Sequence, residues 1–142
     1  MPLVNDCVFC KIIKGEIPCS KVFENDKVLA FLDIAPFNHG HVLIVPKEHQ
    51  HSVTTLGDDY LAAIMQAVPK IASAIMRETE AAGFNLLLNN GSVAGQEVPH
   101  VHLHVIPRFT DDIMLFNPAK KSYPDMKAMQ DLAERISKRI NG

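Results

Sequence analysis

The chain has 142 residues, enough for one domain with its own core. Its 47% hydrophobic and 21% charged residues are those of an ordinary soluble fold, and a formal charge of −2 excludes broad electrostatic binding to a nucleic-acid backbone while leaving room for a small anion. The start "MPLVNDCVFC" lacks the features of a signal peptide, "VLIVP" is too short to cross a bilayer, and three cysteines make no even disulfide set, so a cytoplasmic protein without membrane contact is expected.

"CVFCKIIKGEIP" opens the domain with Cys7-x-x-Cys10. "SKVFEND" and "KVLAFLDIAP" read as two strands around an Asn25-Asp26 turn, and "GHVLIVP" as a third strand ending at Pro46. "GDDYLAAIMQAVPKIASAIMRETEAAGF" is helical: Leu61, Ile64, Met65, Val68, Ile71, Ala72 and Ile75 share one face, fit to pack on a sheet. Asp58 is the expected N-cap, Gly83 the expected stop, and Pro69 the expected kink. "FNLLLNN" is a fourth strand, "GSVAGQEVP" a loop of small residues, and "VHLHVIPRF" a fifth strand. "SYPDMKAMQDLAERISKRI" is a last helix, about 124–140, with Met126, Met129, Leu132, Ala133, Ile136 and Ile140 on one side. These elements predict one α+β domain over 1–142, with a five-stranded antiparallel sheet, a long helix and a C-terminal helix.

The unusual stretch is "PHVHLHVIPR", with His100, His102 and His104 at alternate positions. Alternate residues of a strand face one way, so the imidazoles share a face while Val101, Leu103 and Val105 line the core. At about 3.3 Å per residue the outer two α-carbons lie roughly 13 Å apart, too far for one metal ion in a regular strand. The three imidazoles therefore divide their labour, and their face must be wet or occupied. A neutral imidazole is a nucleophile near neutral pH, its neighbours can hold phosphate or protonate a leaving group, and the upstream loop offers backbone N–H groups to anion oxygens. Cys7-x-x-Cys10 is half of a zinc site, whose other ligands must come from elsewhere; His49 and His51 in "PKEHQHSV" are available. A redox pair or two buried thiols are the alternatives.

"HVHLHV" resembles the signature of the histidine triad (HIT) family, in which histidines alternate with apolar residues. "FLDIAP", "GHVLIVPKEH" and "NNGSVAGQEVPHVHLHV" resemble other segments of that family, in order, over about residues 7 to 110. The resemblance implies a hydrolase or transferase acting at the α-phosphate of a purine nucleotide, either a nucleoside phosphoramidate or a diadenosine polyphosphate, and releasing AMP. By the same resemblance His102 is the nucleophile that forms a nucleotidyl-histidine, His104 contacts phosphate or the leaving group, and His41 supports them. Asp33 matches the ribose contact; Phe9, Ile12, Phe31 and Ile34 match the base pocket; Asn89, Gly95, Gln96 and Glu97 match the phosphate loop. Glu97 departs from the serine of one branch, and its backbone N–H rather than its carboxylate is expected to face the ligand. A zinc-containing branch of the family implies structural zinc on Cys7, Cys10, His49 and His100, with His51 the rival of His49. A homodimer is implied too.

"PRFTDDIMLFNPAKKSYPD" is longer than the tail of the phosphoramidase branch, which weakens assignment to it. Two other classes stay open. A nucleotide-binding scaffold would bind ligand equally with and without His102. A zinc enzyme using two strand histidines would lose activity with the metal while keeping its fold.

Overall fold

A computed structural model of the chain describes residues 3–112 and 119–142. Residues 113–118, part of the tail after the histidine strand, lie outside the described residues. The chain divides into two compact units, Met1–Asp112 and Ile113–Gly142. The first runs α1 (Val8–Ile13), β1 (Lys21–Glu24), β2 (Val28–Leu32), β3 (Val42–Pro46), α2 (Asp58–Thr79), β4 (Gly83–Leu87), a 3-10 turn (Ser92–Ala94) and β5 (Leu103–Arg108). All five strands join one antiparallel sheet in the order β1-β2-β3-β5-β4, the architecture expected from the sequence. The Asn25 carboxamide oxygen makes the β1–β2 turn by accepting from the N–H groups of Lys27 and Val28, both at 2.9 Å.

Both faces of the central strands are covered. Val28, Ala30, Val42, Ile44, Val101, Leu103 and Val105 pack with α2, whereas Leu29, Phe31, Leu43 and Val45 pack with Cys7, Phe9 and Cys10 of the N-terminal segment. Successive residues point to opposite faces, so a strand buried twice reads as an unbroken apolar run, as "VLAFL" and "VLIVP" do.

The long helix differs from its sequence reading at both ends and at Met65. Gly57 is the N-cap, and Asp58 and Asp59 occupy the first turn, where carboxylates favour the exposed N–H groups. The helix stops at Thr79, with Glu80 in the left-handed region at φ 58°, and Gly83 instead begins β4. The Thr79 hydroxyl donates back to the Ile75 carbonyl one turn earlier, at 2.7 Å. The helix continues through Pro69 without a break. Pro69 denies a donor to the Met65 carbonyl, but Met65 lies on the solvent side, 54% exposed, so the apolar stripe is narrower than its spacing suggested.

Gly40 fixes the entry to β3. Its φ is +96°, and a Cβ there would lie 2.8 Å from Thr79 Cγ2. Only glycine lets the chain pass this close to the end of α2 in that conformation, and the next residue is His41.

The second unit holds α3 (Met126–Asn141), the expected last helix. The Asp125 carboxylate caps it by accepting from the Ala128 N–H at 2.8 Å. Its apolar side, including Met126, Met129, Ile136 and Ile140, is exposed within its own unit. No helix among the described residues is long and apolar enough to cross a membrane.

Candidate active site

Register puts the imidazoles together. Leu43 of β3 and Leu87 of β4 both pair with His104 of β5, so His104 is flanked by strands on both sides. Regular pairing of β5 starts only at Leu103, yet the alternation holds upstream: Val101 joins the α2 side of the core, and His100 and His102 turn to the α1 side. That side is not wet, as the sequence suggested it could be. His100 is 0% and His102 5% exposed, and Phe9 of α1 lies edge-on to both, at centroid distances of 5.9 and 5.0 Å. The N-terminal segment is the cover.

Backbone groups assign a tautomer to each ring. A carbonyl only accepts, so the nitrogen facing it carries the proton. His102 Nδ1 lies 2.7 Å from the His100 carbonyl, which leaves the Nε2 lone pair free. His100 Nε2 lies 3.0 Å from the Pro46 carbonyl, which leaves its Nδ1 lone pair free. His41 has the reverse arrangement: its Nδ1 accepts from the Phe37 N–H at 3.1 Å, so its proton is on Nε2. His41 Nε2–H donates to His104 Nδ1 at 2.9 Å, and the His104 proton is therefore on Nε2. The His102 and His104 rings lie 4.9 Å apart between centroids. A bare lone pair and an N–H donor thus stand side by side.

The other end of the triad serves a different centre. Cys7, Cys10, His49 and His100 are all buried and bring their ligand atoms within 4.8 Å of one another. His100 Nδ1 is 3.4 Å from Cys7 Sγ and 3.5 Å from Cys10 Sγ, and His49 Nδ1 is 3.4 Å from Cys10 Sγ. His51 is not in the cluster; its ring lies edge-on to His49 at 5.2 Å. The geometry therefore selects His49 over His51. Two thiols and two imidazoles in a closed, buried set suit zinc, and the Pro46 carbonyl, bonded to the far nitrogen of His100, aims its Nδ1 at the thiols.

Asp33, His41 and His104 also bring ligand atoms within 4.8 Å, but the tautomers oppose a metal there. Phe37 keeps a proton off His41 Nδ1, so Nε2 carries it and has no lone pair to give. Asp33 caps its turn with Oδ1, which accepts from the Ala35 N–H at 2.9 Å, and holds Oδ2 3.6 Å from His41 Nε2.

The remaining residues singled out by sequence are dispersed around this centre. Phe9 and Phe31 are buried in mutual edge contact at 5.7 Å, Ile12 is half-buried, and Ile34 is fully exposed. Asn89 reaches across the loop, its Nδ2 donating to the Gly95 carbonyl at 3.2 Å. The Gln96 side chain is already engaged: it accepts from the Gly91 N–H at 2.8 Å and donates to the His51 carbonyl at 2.7 Å. It braces the loop against the segment that bears His49. Glu97 is exposed and lines a cleft of about 560 Å³ together with His51, Ser52 and Asn90. Phe37 was missed by sequence reading, because its backbone N–H does the work; its ring also stacks on His41 at 5.5 Å.

Burial holds His104 down to about 4, with His102 and His41 adding to the effect, and burial also lowers His41 and His102. Unfolded histidines titrate near 6.5. Between those values the unfolded chain binds more protons than the folded one, so stability is full above about 6.5 and is lost as pH falls toward 4. Thermal melts should show this slope, and His104→Asn should make it shallower, the other buried imidazoles keeping the rest; an unchanged slope in the variant would refute the assignment.

The comparisons agree with this geometry. The family profile described as "HIT domain" matches residues 14–111. The chain belongs to the HIT family. It is 44% identical over 135 residues to an adenosine 5′-monophosphoramidase of Schizosaccharomyces pombe, covering 94% of this chain and 98% of that protein. It is 48% identical over 112 residues to an adenylylsulfatase of Arabidopsis thaliana, covering 79% of this chain but 57% of that longer protein. A Streptococcus mutans crystal structure superposes with a TM-score of 0.91 at 43% identity, over 96% of this chain and 87% of that one. As a HIT fold, the domain carries its triad on β5 and the residues before it.

Proposed function

We propose that this HIT protein hydrolyses adenosine 5′-phosphoramidates through a covalent adenylyl-histidine and releases AMP. The observation that carries the reading is the free Nε2 lone pair of His102, fixed by the His100 carbonyl beside the Nε2–H of His104. In the first step His102 Nε2 attacks phosphorus and the P–N bond breaks, while the departing amine takes a proton relayed from solvent through His104 Nε2, so that His104 ends the step neutral. His102 becomes an adenylyl-imidazolium, and the rings together gain the one positive charge that the solvent proton brought. Water then attacks phosphorus, the P–N bond to His102 breaks, the proton of the water returns to solvent past His104, and AMP leaves with His102 neutral. Asp33 Oδ2 would accept from the ribose hydroxyls. Asn89, Gly95 and the backbone of Gln96 and Glu97 would hold phosphate, and Phe9, Ile12, Phe31 and Ile34 would flank the base.

The charge around the loop favours an amine leaving group over a polyphosphate. Glu97 lies near enough for its charge to act on His102, and no lysine or arginine lines the adjoining cleft among the described residues. The name of the Schizosaccharomyces pombe relative points the same way.

Zinc would sit on Cys7, Cys10, His49 and His100, and when bound it would supply a cross-link between α1 and the strand of His102, with no part in the reaction. A two-fold dimer would use β4. This strand ends the sheet, exposes Phe84 and Leu86, and borders a groove against Pro69, Ala72 and Met76 of α2. An open apolar edge of this kind seeks a partner. Light scattering should give twice the chain mass for the parent and the chain mass for Phe84→Glu; a monomeric parent would end the dimer proposal.

The decisive experiment is intact-protein mass after rapid quenching with an adenosine phosphoramidate, with AMP read from the same samples. An adenylyl adduct on the parent and none on His102→Ala supports the reading. Neither adduct nor AMP from the parent would reject it.

A further inference from the structure

A polar latch lies behind the proton-donating side of the site, on residues the reaction never touches. Asp112 Oδ2 accepts from Arg108 Nε at 2.7 Å, from Asn38 Nδ2 at 2.8 Å and from the Phe109 N–H at 3.3 Å. Arg108 also donates to the Asn85 side chain of β4 at 2.8 Å, which anchors the latch to the sheet. Asn38 Nδ2 donates in addition to the Pro107 carbonyl at 2.9 Å. Both latch ends are largely buried, with side-chain exposures of 12% for Arg108 and 15% for Asp112. Hydrogen bonds to Arg108 and Asn38 hold the Asp112 carboxyl down to about 2, so it is ionised near neutral pH.

The latch grips the segment that sets the His41 tautomer. The Asn38 carbonyl accepts the His41 N–H at 3.1 Å, and the preceding residue, Phe37, supplies the N–H that His41 Nδ1 accepts. Three hydrogen bonds thus lead from Asp112 to His104: Asn38 is fixed by the carboxylate, Phe37 is fixed beside it, and His41 hands the orientation to His104. Without Asp112 the 37–41 segment keeps only the Asn38 bond to the Pro107 carbonyl and the His41–His104 contact as side-chain ties to β5 among the described contacts. The Phe37 amide could then turn from His41, and His41 and His104 would exchange protons between their two nitrogens.

We propose that Asp112, with Asn38 and Arg108, is a positioning device that keeps the His104 proton on Nε2, facing the leaving group. This inference rests on the hydrolase reading above. The device acts on leaving-group departure and not on attack by His102, whose tautomer is set by the His100 carbonyl on another path. It predicts a defect that depends on how much the leaving group needs a proton. An alkylamine needs one; a p-nitrophenolate does not.

The test compares Asp112→Asn with the parent on adenosine 5′-(N-alkylphosphoramidate) and on adenosine 5′-(p-nitrophenyl phosphate). The variant should lose about 10²-fold in kcat on the alkylamine substrate, at unchanged KM, and at least about tenfold less on the nitrophenyl ester. Nitrogen-15 shifts of His104 should move from the Nε2–H tautomer toward a mixture. Adding Asp112→Asn to His104→Asn should cost nothing further, since both remove one function. Equal losses on the two substrates, or an unshifted His104 tautomer in a folded variant, would overturn the positioning role while leaving the hydrolase reading intact. A parent that releases AMP from neither substrate would overturn both. Should Asp112→Asn fail to fold, Asn38→Asp, which keeps the backbone carbonyl but places a carboxylate against Asp112, carries the same comparison.

Discussion

Replacing His102 with alanine is expected to lower kcat/KM for an adenosine phosphoramidate by about 10⁴- to 10⁶-fold, roughly 5–8 kcal/mol of transition-state stabilisation. The size follows from the absence of a substitute. The neighbouring His104 presents a protonated Nε2 and spends its Nδ1 lone pair on His41. His100 is completely buried and aims its free nitrogen at the thiols. Loss of His104 should cost less, about 10²- to 10⁴-fold, because solvent can deliver a proton where it cannot deliver a nucleophile of this reactivity. AMP affinity should persist in His102→Ala, since the loop and Asp33 remain. Steady-state kinetics and calorimetry of AMP binding separate the two effects. Removing a ring packed against Phe9 also opens a cavity, so circular dichroism must show a folded variant. Retention of more than about a tenth of parental activity would remove His102 from the mechanism altogether, because nucleophilic catalysis tolerates no such residue.

The second large effect concerns the thiol cluster. Cys10→Ala is expected to abolish zinc binding and to destabilise the fold by more than about 3 kcal/mol, whereas Cys19→Ala should change stability by less than about 0.5 kcal/mol. Cys10 is completely buried among two imidazoles and a second thiol; Cys19 is exposed. Burial raises the Cys10 thiol above its ordinary value of 9.0, so metal uptake must displace a proton and should weaken in acid. The consequence reaches beyond stability, because the cluster fixes α1 and with it Phe9, the residue lying over His102. Denaturant melts with elemental analysis of the purified protein test this. A metal-free parent in which Cys10→Ala costs no more than Cys19→Ala would discard the metal site.

The sequence showed most of this fold because apolar patterning dictates it. The strands and both long helices were legible from runs such as "VLIVP" and from the stripe Ile64, Val68, Ile71, Ile75. Boundaries were harder: Glu80, not glycine, takes the left-handed position at the end of α2, and the helix absorbs Pro69. The short helix over Val8–Ile13 was not foreseen, and with it the fact that the imidazole face is covered. At the site, the residue types and their alternation marked the rings that the fold brings together. The Phe37 amide, the Asn38–Asp112 contact and the Gln96 brace were invisible, because each joins residues far apart in the chain or uses groups that every residue possesses.

Three main-chain groups decide what these rings can do: the Pro46 carbonyl, the His100 carbonyl and the Phe37 amide. A saturation scan of side chains reads none of them directly, and Phe37 would score there as little more than a ring stacked on His41. Any residue but proline at 37, and any residue at 46, offers the same main-chain group so long as the chain keeps its path. Replacing single amides by esters, through chemical synthesis of the 37–41 and 98–104 segments, is the perturbation to which this machinery is exposed.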